Sequence, residues 1–237
     1  MSDFRLSFPA CVVAGKARLS TEDLMLLRRH TFAEGVRTPD DVVTLMALNA
    51  SCPEKCPEWA DYFVEQLAAF LVHHCYPIGS LDEINVEWIR EVLTDDGVIH
   101  GELEFLAVLH MHDIARHVPA PLRMLLLDQL RIAIAEGRGA YARMRSLPSG
   151  IGADDVAFVH RILRDRLGRD AAALSPAKVA LLERIEGQVP ADQRHPDWKP
   201  FMDTIIRSRP VRRVERPRRW LHVPDSLFLE DEEELVA

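Results

Sequence analysis

The stretch that decides the fold is HPDWKPF, His195 to Phe201, because an earlier stretch repeats its pattern. That earlier stretch, CPEWADYF, runs from Cys56 to Phe63 and has the same Pro-x-Trp followed by an aromatic residue three positions later. Proline is favoured in the first turn of a helix, so each stretch predicts a helix that begins at a proline and carries a tryptophan. The recurrence indicates one helical unit used twice.

Two further helix starts precede each Pro-x-Trp in the same order. LSTEDLMLLRR (residues 19–29) aligns with IGADDVAFVHR (151–161), and TPDDVVTLMALN (38–49) aligns with SPAKVALLERIE (175–186). Thr38 and Ser175 are favourable N-cap residues, and each is followed by proline at the first helical position. We therefore predict two similar three-helix units, at residues 19–76 and 151–206, after an N-terminal segment of residues 1–18.

The segment between the units, residues 77–150, has a different helical pattern. LDEINVEWIREVL predicts an amphipathic helix with Ile84, Trp88 and Val92 on its apolar face. An Asp-Asp-Gly turn leads to a second helix over residues 102–118, and prolines then break it and start a third. Alternating β-branched runs, which would indicate strands, are nearly absent. The prediction is an all-α fold of about nine to ten helices.

Composition and charge fit a globular protein and disfavour several functional classes. The 237 residues are 48% hydrophobic and 28% charged, with a net charge of −8, which argues against a general nucleic-acid binder. Four cysteines are too few for a disulfide scaffold, and no signal peptide or membrane span is evident, so we expect a cytoplasmic protein without membrane contact. No phosphate-binding glycine loop or nucleophile elbow occurs, and no cofactor is expected.

The middle segment resembles a known family. Residues 86–130, VEWIREVLTDDGVIHGELEFLAVLHMHDIARHVPAPLRMLLLDQL, are similar to the TerB-like helical proteins associated with tellurite resistance. An acidic turn ending in Gly97, a helix led by Glu102 and a helix marked by Pro119 carry the resemblance. The flanking units look like largely uncharacterised bacterial proteins with related helices. The resemblance implies a compact helical fold and a stress or regulatory setting, and it implies no reaction.

HMHDIARH, which starts at His110, is the first candidate for metal chemistry. His110, Asp113 and His117 stand at i, i+3 and i+7, so a continuous helix would bring them within about 60° of one another. Two imidazoles and a carboxylate are suitable zinc or iron ligands. The stripe borders an apolar face where half-buried histidines are common, and a metal site is therefore not favoured.

The same helix offers an enzyme hypothesis. The adjacent pair His112 and Asp113 resembles the metal-binding signature of HD-type phosphohydrolases, which are also all-α. Such an enzyme needs a further histidine upstream and an aspartate downstream, for which His73 or His74 and Asp128 are the candidates. We keep a metal-dependent phosphohydrolase, or a metal-binding stress protein, as the alternative and assign no catalytic residue.

Two other motifs have plain structural interpretations. Cys52 and Cys56, with His73, His74 and Cys75 downstream, offer zinc ligands or a redox pair, but the second unit has no cysteine at the matching place. TDDGVIHGELEFL resembles a calcium loop, yet its first and last ligand positions are apolar. We interpret this stretch as a tight turn in which a glycine has positive φ.

The C-terminal segment, residues 207–237, is the predicted interaction element. Seven arginines lie between residues 207 and 219, and seven acidic residues in the same segment balance them, so the net negative charge belongs to residues 1–206. Candidate partner-binding residues are Arg212, Arg213, Arg216, Arg218, Arg219, Trp220, Leu227 and Phe228. We favour a segment that clasps its own protein or a second copy in a homodimer, over nucleic-acid binding or disorder. The predicted function is therefore non-catalytic, through protein–protein contacts.

Overall fold

The structure, a computed structural model, describes residues 7–164 and 174–207. In these ranges the chain forms eleven α-helices: α1 (Phe8–Ala14), α2 (Thr21–His30), α3 (Pro39–Ser51), α4 (Pro57–Ala69), α5 (Glu83–Leu93), α6 (Glu102–Ile114), α7 (Ala120–Glu136), α8 (Gly139–Met144), α9 (Ala153–Leu163), α10 (Pro176–Gly187) and α11 (Trp198–Arg207). The predominantly α-helical class predicted from the sequence is confirmed, with a helix number close to the one expected.

Two short β contacts accompany the helices and were not predicted. Strand β1 (Arg18–Leu19) pairs in parallel with β2 (Glu54–Lys55), so that Leu19 lies opposite Lys55. A single parallel bridge joins Ile151 to Arg194 in the second half of the chain. Leu19 and Ile151 each stand two positions before the first helix of a predicted unit. Lys55 and Arg194 each stand directly before the repeated stretch, so the two contacts are equivalent.

The backbone hydrogen bonds around these contacts correspond between the two halves. The amide of Cys56 donates to the Leu19 carbonyl at 2.9 Å, and the amide of His195 donates to the Ile151 carbonyl at 2.8 Å. Each tryptophan amide then donates to the carbonyl three residues before it, at 3.0 Å in both halves. These matches support the repeat, while the domain boundaries stay a prediction.

Several helix starts follow the predicted pattern, but α11 begins at Trp198 instead of at Pro196, and the Ser175 side chain makes no capping hydrogen bond. The side chain of Thr38 accepts a hydrogen bond from the Asp41 amide, and the Asp41 carboxylate accepts one from the Thr38 amide, which completes a capping box. Ser175 is the N-cap of α10, and Pro176 is its first residue, as expected. Gly137 ends α7 with φ of 64°, a conformation that glycine adopts without steric cost.

All helices share one hydrophobic core. A continuous cluster of buried side chains runs from α1 to α11, and within it α4 packs most extensively against α6, while α10 packs against α7. The first and second predicted units therefore both bury apolar surface on the middle segment. This arrangement makes the middle segment the support on which both units rest.

The predicted buried face of α5 is wrong. Ile84 is 78% exposed and Val92 is 42% exposed, whereas Val86, Ile89 and Leu93 are buried. The sequence of α5 carries two apolar rows, and only one of them can face the core. The buried row is accompanied by Asn85, whose carboxamide accepts from the Asp82 amide and donates to the Tyr76 carbonyl; these bonds hold the helix in the observed rotation.

The predicted end of α6 is also wrong, by one helical turn. The helix stops at Ile114, and Ala115 is extended. The Arg116 amide donates to the Gly79 carbonyl at 2.8 Å, and the Leu81 amide donates to the His117 carbonyl at 3.0 Å. These bonds to the preceding loop satisfy the backbone groups that a further helical turn would have used.

The turn predicted at Asp95-Asp96-Gly97 is present. Asp96 and Gly97 both have positive φ, at 49° and 76°, and Asp95 forms an antiparallel bridge with Val98. Glu102 lies in the first turn of α6, where a carboxylate is favoured by the helix dipole. The side chain of Gln129 fastens the turn to α7 through bonds to the Gly97 carbonyl and the Ile99 amide.

The two repeat tryptophans are fully buried but differ in hydrogen bonding. Trp59 packs against Tyr62 and Phe63, and its indole N–H donates to the Asn49 side chain at 3.1 Å. Trp198 packs against Phe201, and its indole N–H has no hydrogen-bond partner in the part of the chain that the structure describes. The indole N–H at the repeated position therefore has a hydrogen-bond partner in the first unit, and in the second unit it has none among the described residues.

This difference predicts unequal responses to conservative substitution. Trp59→Ala and Trp198→Ala should each lower the free energy of unfolding by about 3–5 kcal/mol, because each leaves a large cavity. Trp59→Phe should cost about 1 kcal/mol more than Trp198→Phe, because only Trp59→Phe breaks a hydrogen bond. Urea denaturation followed by circular dichroism measures both pairs, and equal costs for the two Phe variants would contradict the assignment.

A buried aspartate follows each β contact. Asp155 accepts hydrogen bonds from Tyr141, Arg145 and the Gly152 amide. The Arg145 and Asp155 side chains form an ion pair and are only 2% and 3% exposed. Burial and the adjacent Asp155 charge raise the pKa of Tyr141. In the first unit Asp23 is the equivalent residue, but its partner Lys16 is 45% exposed. Burial alone would raise the pKa of Asp23, and hydrogen bonds from Lys16 and Ser20 reverse this, so that the pKa is lowered.

The unequal burial predicts unequal costs when the cation is removed. Arg145→Ala should destabilise the protein by about 3–5 kcal/mol, because it leaves a buried carboxylate unpaired. Lys16→Ala serves as the matched control and should cost about 0–1 kcal/mol, because Lys16 lies at the surface and the Asp23 carboxylate keeps its hydrogen bonds from Ser20. Thermal or urea unfolding of the two variants tests this, and a large cost for Lys16→Ala would contradict it.

Candidate interaction site

The three residues proposed as a metal stripe do not form one. Because α6 ends at Ile114, His117 lies beyond the helix and is exposed, away from the row that contains His110 and Asp113. In the two described ranges, no three His, Cys, Asp or Glu side chains are grouped so that they could hold a metal ion. The geometric basis for the candidate site is therefore wrong.

His112, one member of the pair that resembles an HD-type metal site, is buried in the core. It is 6% exposed, and its two ring nitrogens approach two acceptors: Nδ1 lies 3.2 Å from Asp113 Oδ1, and Nε2 lies 3.3 Å from the Ile162 carbonyl. The Asp113 carboxylate also accepts hydrogen bonds from Arg161. These contacts fasten α6 to α9 and occupy the groups that an HD-type site would need.

The other residues required for a phosphohydrolase are engaged elsewhere or exposed. His73 and His74 are exposed in a π-helical turn, Phe70–His74, that continues α4. Asp128 accepts a hydrogen bond from Arg131 at 2.5 Å on α7. The structure thus does not bring the proposed upstream and downstream ligands to the His112–Asp113 pair.

The cysteine hypothesis fails on distance. Cys56 is the N-cap of α4, and Cys75 follows the π-helical turn at the opposite end of the same helical segment. Eighteen helical residues at 1.5 Å each separate the two ends by roughly 27 Å. Cys52 is buried, its thiol donates to the Val13 carbonyl at 3.4 Å, and burial raises its pKa. These thiols and the downstream histidines therefore do not make one zinc site.

A cleft of about 540 Å³ lies where α3 and α4 meet the start of α6. Its polar side chains bond mainly to one another: Asn49 donates to Glu104 at 2.9 Å, and Arg143 donates to Glu102 at 3.3 Å. Lysine and arginine on the rim balance the two glutamates. This internal pairing leaves the cleft without a group of converging unpaired side chains for chemistry.

The surface of α5 is different, because it exposes apolar side chains together. Ile84, Trp88 and Val92 stand at i, i+4 and i+8, and Ile84 and Val92 are exposed while Trp88 is half-buried against Phe70. Two residues of the preceding loop are also exposed, Tyr76 at 84% and Ile78 at 64%, and the Asn85 side chain bonds this loop to α5 at the Tyr76 carbonyl. We call Tyr76, Ile78, Ile84, Trp88 and Val92 the α5 apolar surface.

An acidic row runs beside this surface. Glu83, Glu87 and Glu91 are all exposed, and each directly precedes one residue of the apolar row on α5. Consecutive helical residues are rotated by about 100°, so the glutamates line one flank of the apolar row. None of the three forms an ion pair with another residue in the ranges 7–164 and 174–207. We call them the α5 acidic row.

The sequence pattern predicted Ile84, Trp88 and Val92 as the apolar face of α5, whereas Ile84 and Val92 face solvent and Tyr76 and Ile78 were not predicted. The signal that could have separated the two apolar rows is the Asp82-x-x-Asn85 pattern, a capping pair that buries Asn85 beside Val86 and Ile89. Other exposed apolar side chains, such as Val43 on α3, lie outside this surface. Isolated exposed side chains of this kind are ordinary, whereas a contiguous apolar patch marks an interaction site.

The partner-binding candidates of the C-terminal segment fall outside the described residues. These are Arg212, Arg213, Arg216, Arg218, Arg219, Trp220, Leu227 and Phe228. The clasp assigned to them therefore stays a prediction.

Comparison with known proteins gives no match: no protein-family model, curated protein or solved structure is significantly similar to this chain. Among the helices of the described ranges, none combines the length and apolar composition needed to cross a membrane.

The contacts around Asp113 predict a stability change in acid. Burial tends to raise the pKa of Asp113, but hydrogen bonds from His112 and Arg161 outweigh it and lower the pKa from 3.8 to about 2. A carboxylate with a lowered folded-state pKa stabilises the fold above its unfolded pKa, and the contribution is lost as pH falls through the folded pKa. The urea midpoint of the wild type should therefore fall between about pH 4 and 2 more steeply than that of Asp113→Asn.

The difference in urea midpoint between the wild type and Asp113→Asn should be constant above about pH 5, where Asp113 is ionised in both the folded and the unfolded chain. Arg161→Gln should reduce the steepness without removing it, because the contact with His112 remains. Parallel acid profiles for the wild type and Asp113→Asn would show that this carboxylate does not link α6 to α9 in solution.

Proposed function

We propose that this protein is a non-catalytic interaction protein that binds a protein partner through the α5 apolar surface. The observation that carries the proposal is the row of exposed Ile84, half-buried Trp88 and exposed Val92, which lies beside an acidic row without ion pairs in the described chain. Tryptophan, tyrosine and isoleucine at the centre of a patch with charged residues at its edge are the composition of protein–protein interfaces.

The charge of the site favours a protein over a nucleic acid or a lipid surface. Phosphates of nucleic acids and anionic lipids would be repelled by Glu83, Glu87 and Glu91. A protein segment with basic and apolar side chains would satisfy both rows at once. The overall charge of −8 acts in the same direction.

Support for a non-catalytic role comes from the use made of the candidate catalytic groups. His112 is buried with both ring nitrogens near acceptors, Asp113 is held by Arg161, and Asp128 is held by Arg131. His112 and Asp113 contact α9, and Asp128 pairs within α7, whereas a phosphohydrolase would need these side chains free to bind metal. The contacts of these side chains therefore favour an interaction function over the enzyme alternative.

The setting of the interaction rests on the sequence resemblance. Residues 86–130 are similar to TerB-like proteins, and the α5 surface begins within this segment. We therefore propose a regulatory or stress-response role in the bacterial cytoplasm, exerted through binding of a partner.

A matched pair of exposed substitutions tests the proposal. Ile84→Asp places a charge in the centre of the α5 apolar surface, and Val43→Asp places the same charge on α3 outside it. Both side chains are exposed, so circular dichroism and the unfolding midpoint should be unchanged. Proteins captured from cells by the full chain should be reduced by about tenfold or more with Ile84→Asp, the effect of losing an interface anchor.

Val43→Asp should capture the same proteins as the wild type in quantitative mass spectrometry. Equal capture by Ile84→Asp and the wild type would mean that the α5 apolar surface is not the interaction site.

A further inference from the structure

We propose that the chain's own segment 207–229 occupies the α5 surface, with its arginines on the α5 acidic row and Trp220 on the α5 apolar surface. This inference rests on the proposed function, because it names the occupant of the same site. The segment follows α11 directly, and an outside partner must displace it. The C-terminal segment is then an intramolecular competitor that regulates access to the interaction site.

Charge complementarity supports this occupant. Residues 207–219 contain seven arginines and a single glutamate, and the three glutamates of the α5 acidic row form no ion pair elsewhere in the described chain. The remainder of the protein carries the entire net negative charge, so the basic segment is attracted to it before any specific contact forms.

The spacing of charges also fits. Glutamates four residues apart on a helix are about 6 Å apart along its axis. Side chains two residues apart on an extended segment are about 6.6 Å apart. Arg216 and Arg218 have this spacing around Pro217, and a proline disfavours helix in the residue before it. An extended Arg-x-Arg stretch can therefore contact two neighbouring glutamates of the α5 acidic row.

The apolar side chains of the segment match the second row. Trp220 and Leu221 follow the last arginine immediately, and Leu227, Phe228 and Leu229 come a few residues later. A segment lying along the acidic row thus carries apolar side chains to the α5 apolar surface. Exposed arginine–glutamate pairs are individually weak, so these apolar contacts must fix the position.

The length of the segment is sufficient. Helix α11 packs on α10, α10 packs on α7, and α7 packs on α5. Three interhelical steps of 8–10 Å place the axes of α11 and α5 within roughly 30 Å of each other. The eight residues 208–215, when extended, span about 26–29 Å, which is comparable to that separation, so Arg216 can reach the acidic row from the same chain. Tethering raises the local concentration of the segment to about the millimolar range, which favours it over the same segment of a second copy.

Hydrogen exchange on the whole chain tests the proposal. The charge of the acidic row is reversed first, and the charge of the arginines is then reversed in the same variant. In the wild type, amides of residues 220–229 should be protected. Reversal of the acidic row, Glu83→Lys with Glu87→Lys and Glu91→Lys, should reduce this protection by about tenfold or more, because attraction becomes repulsion. Adding Arg212→Glu, Arg213→Glu, Arg216→Glu, Arg218→Glu and Arg219→Glu to that triple variant should restore most of it.

The matched control places the same charge change on other exposed acids, Glu22→Lys with Asp61→Lys and Glu65→Lys. This control should leave the protection of residues 220–229 unchanged. Protection that survives dilution of the protein supports docking within one chain. Protection that disappears on dilution, or that requires added nucleic acid, would overturn the proposal.

Trp220→Asp distinguishes the failure of this inference from failure of the proposed function. If the segment competes with an outside partner, Trp220→Asp should raise partner capture several-fold, while Ile84→Asp lowers it. Rapid exchange of residues 220–229 in the wild type overturns the docking alone, because capture through Ile84 is measured separately. Unchanged capture by Ile84→Asp overturns the interaction site itself.

Discussion

Packing of α4 against α6 holds the two halves of this fold in place. Trp59, Phe63 and Leu67 of α4 are buried, as are Phe105 and Met111 of α6. A chain of hydrogen bonds accompanies the apolar contact, from the Trp59 indole to Asn49 and from Asn49 to Glu104. Because α6 also bonds to α9 through His112, both three-helix segments depend on the position of this one helix.

Local chemistry made much of the helical pattern predictable. Thr38, Pro39 and Gly97 specify a cap, a first turn and a positive φ through interactions within a few residues, and the structure places all three as expected. The end of α6 could not be predicted in the same way. It is set by bonds from Arg116 and His117 to a loop that precedes them by more than 30 residues, and no local pattern records those bonds.

The candidate site shows the same limit in its side chains. The row Ile84, Trp88 and Val92 is visible in the sequence, but its exposure depends on which of two apolar rows of α5 faces α7 and the core. For His112 the sequence signal indicated ligand chemistry, while the structure uses the ring as a buried contact to the Ile162 carbonyl. In both cases the residue types were informative, and the tertiary partner decided their role.

The acidic row limits which partners the α5 surface can bind. A symmetric dimer with antiparallel α5 helices would bring the row of Glu83, Glu87 and Glu91 close to its copy, because both rows then lie on the same side of the interface. Like charges facing each other across an interface oppose binding, so the acidic row disfavours hydrophobic self-association through the apolar surface. A basic, aromatic segment relieves that repulsion and covers the apolar side chains together. Residues 207–229 combine these two properties in their sequence, with seven arginines followed by Trp220 and Phe228.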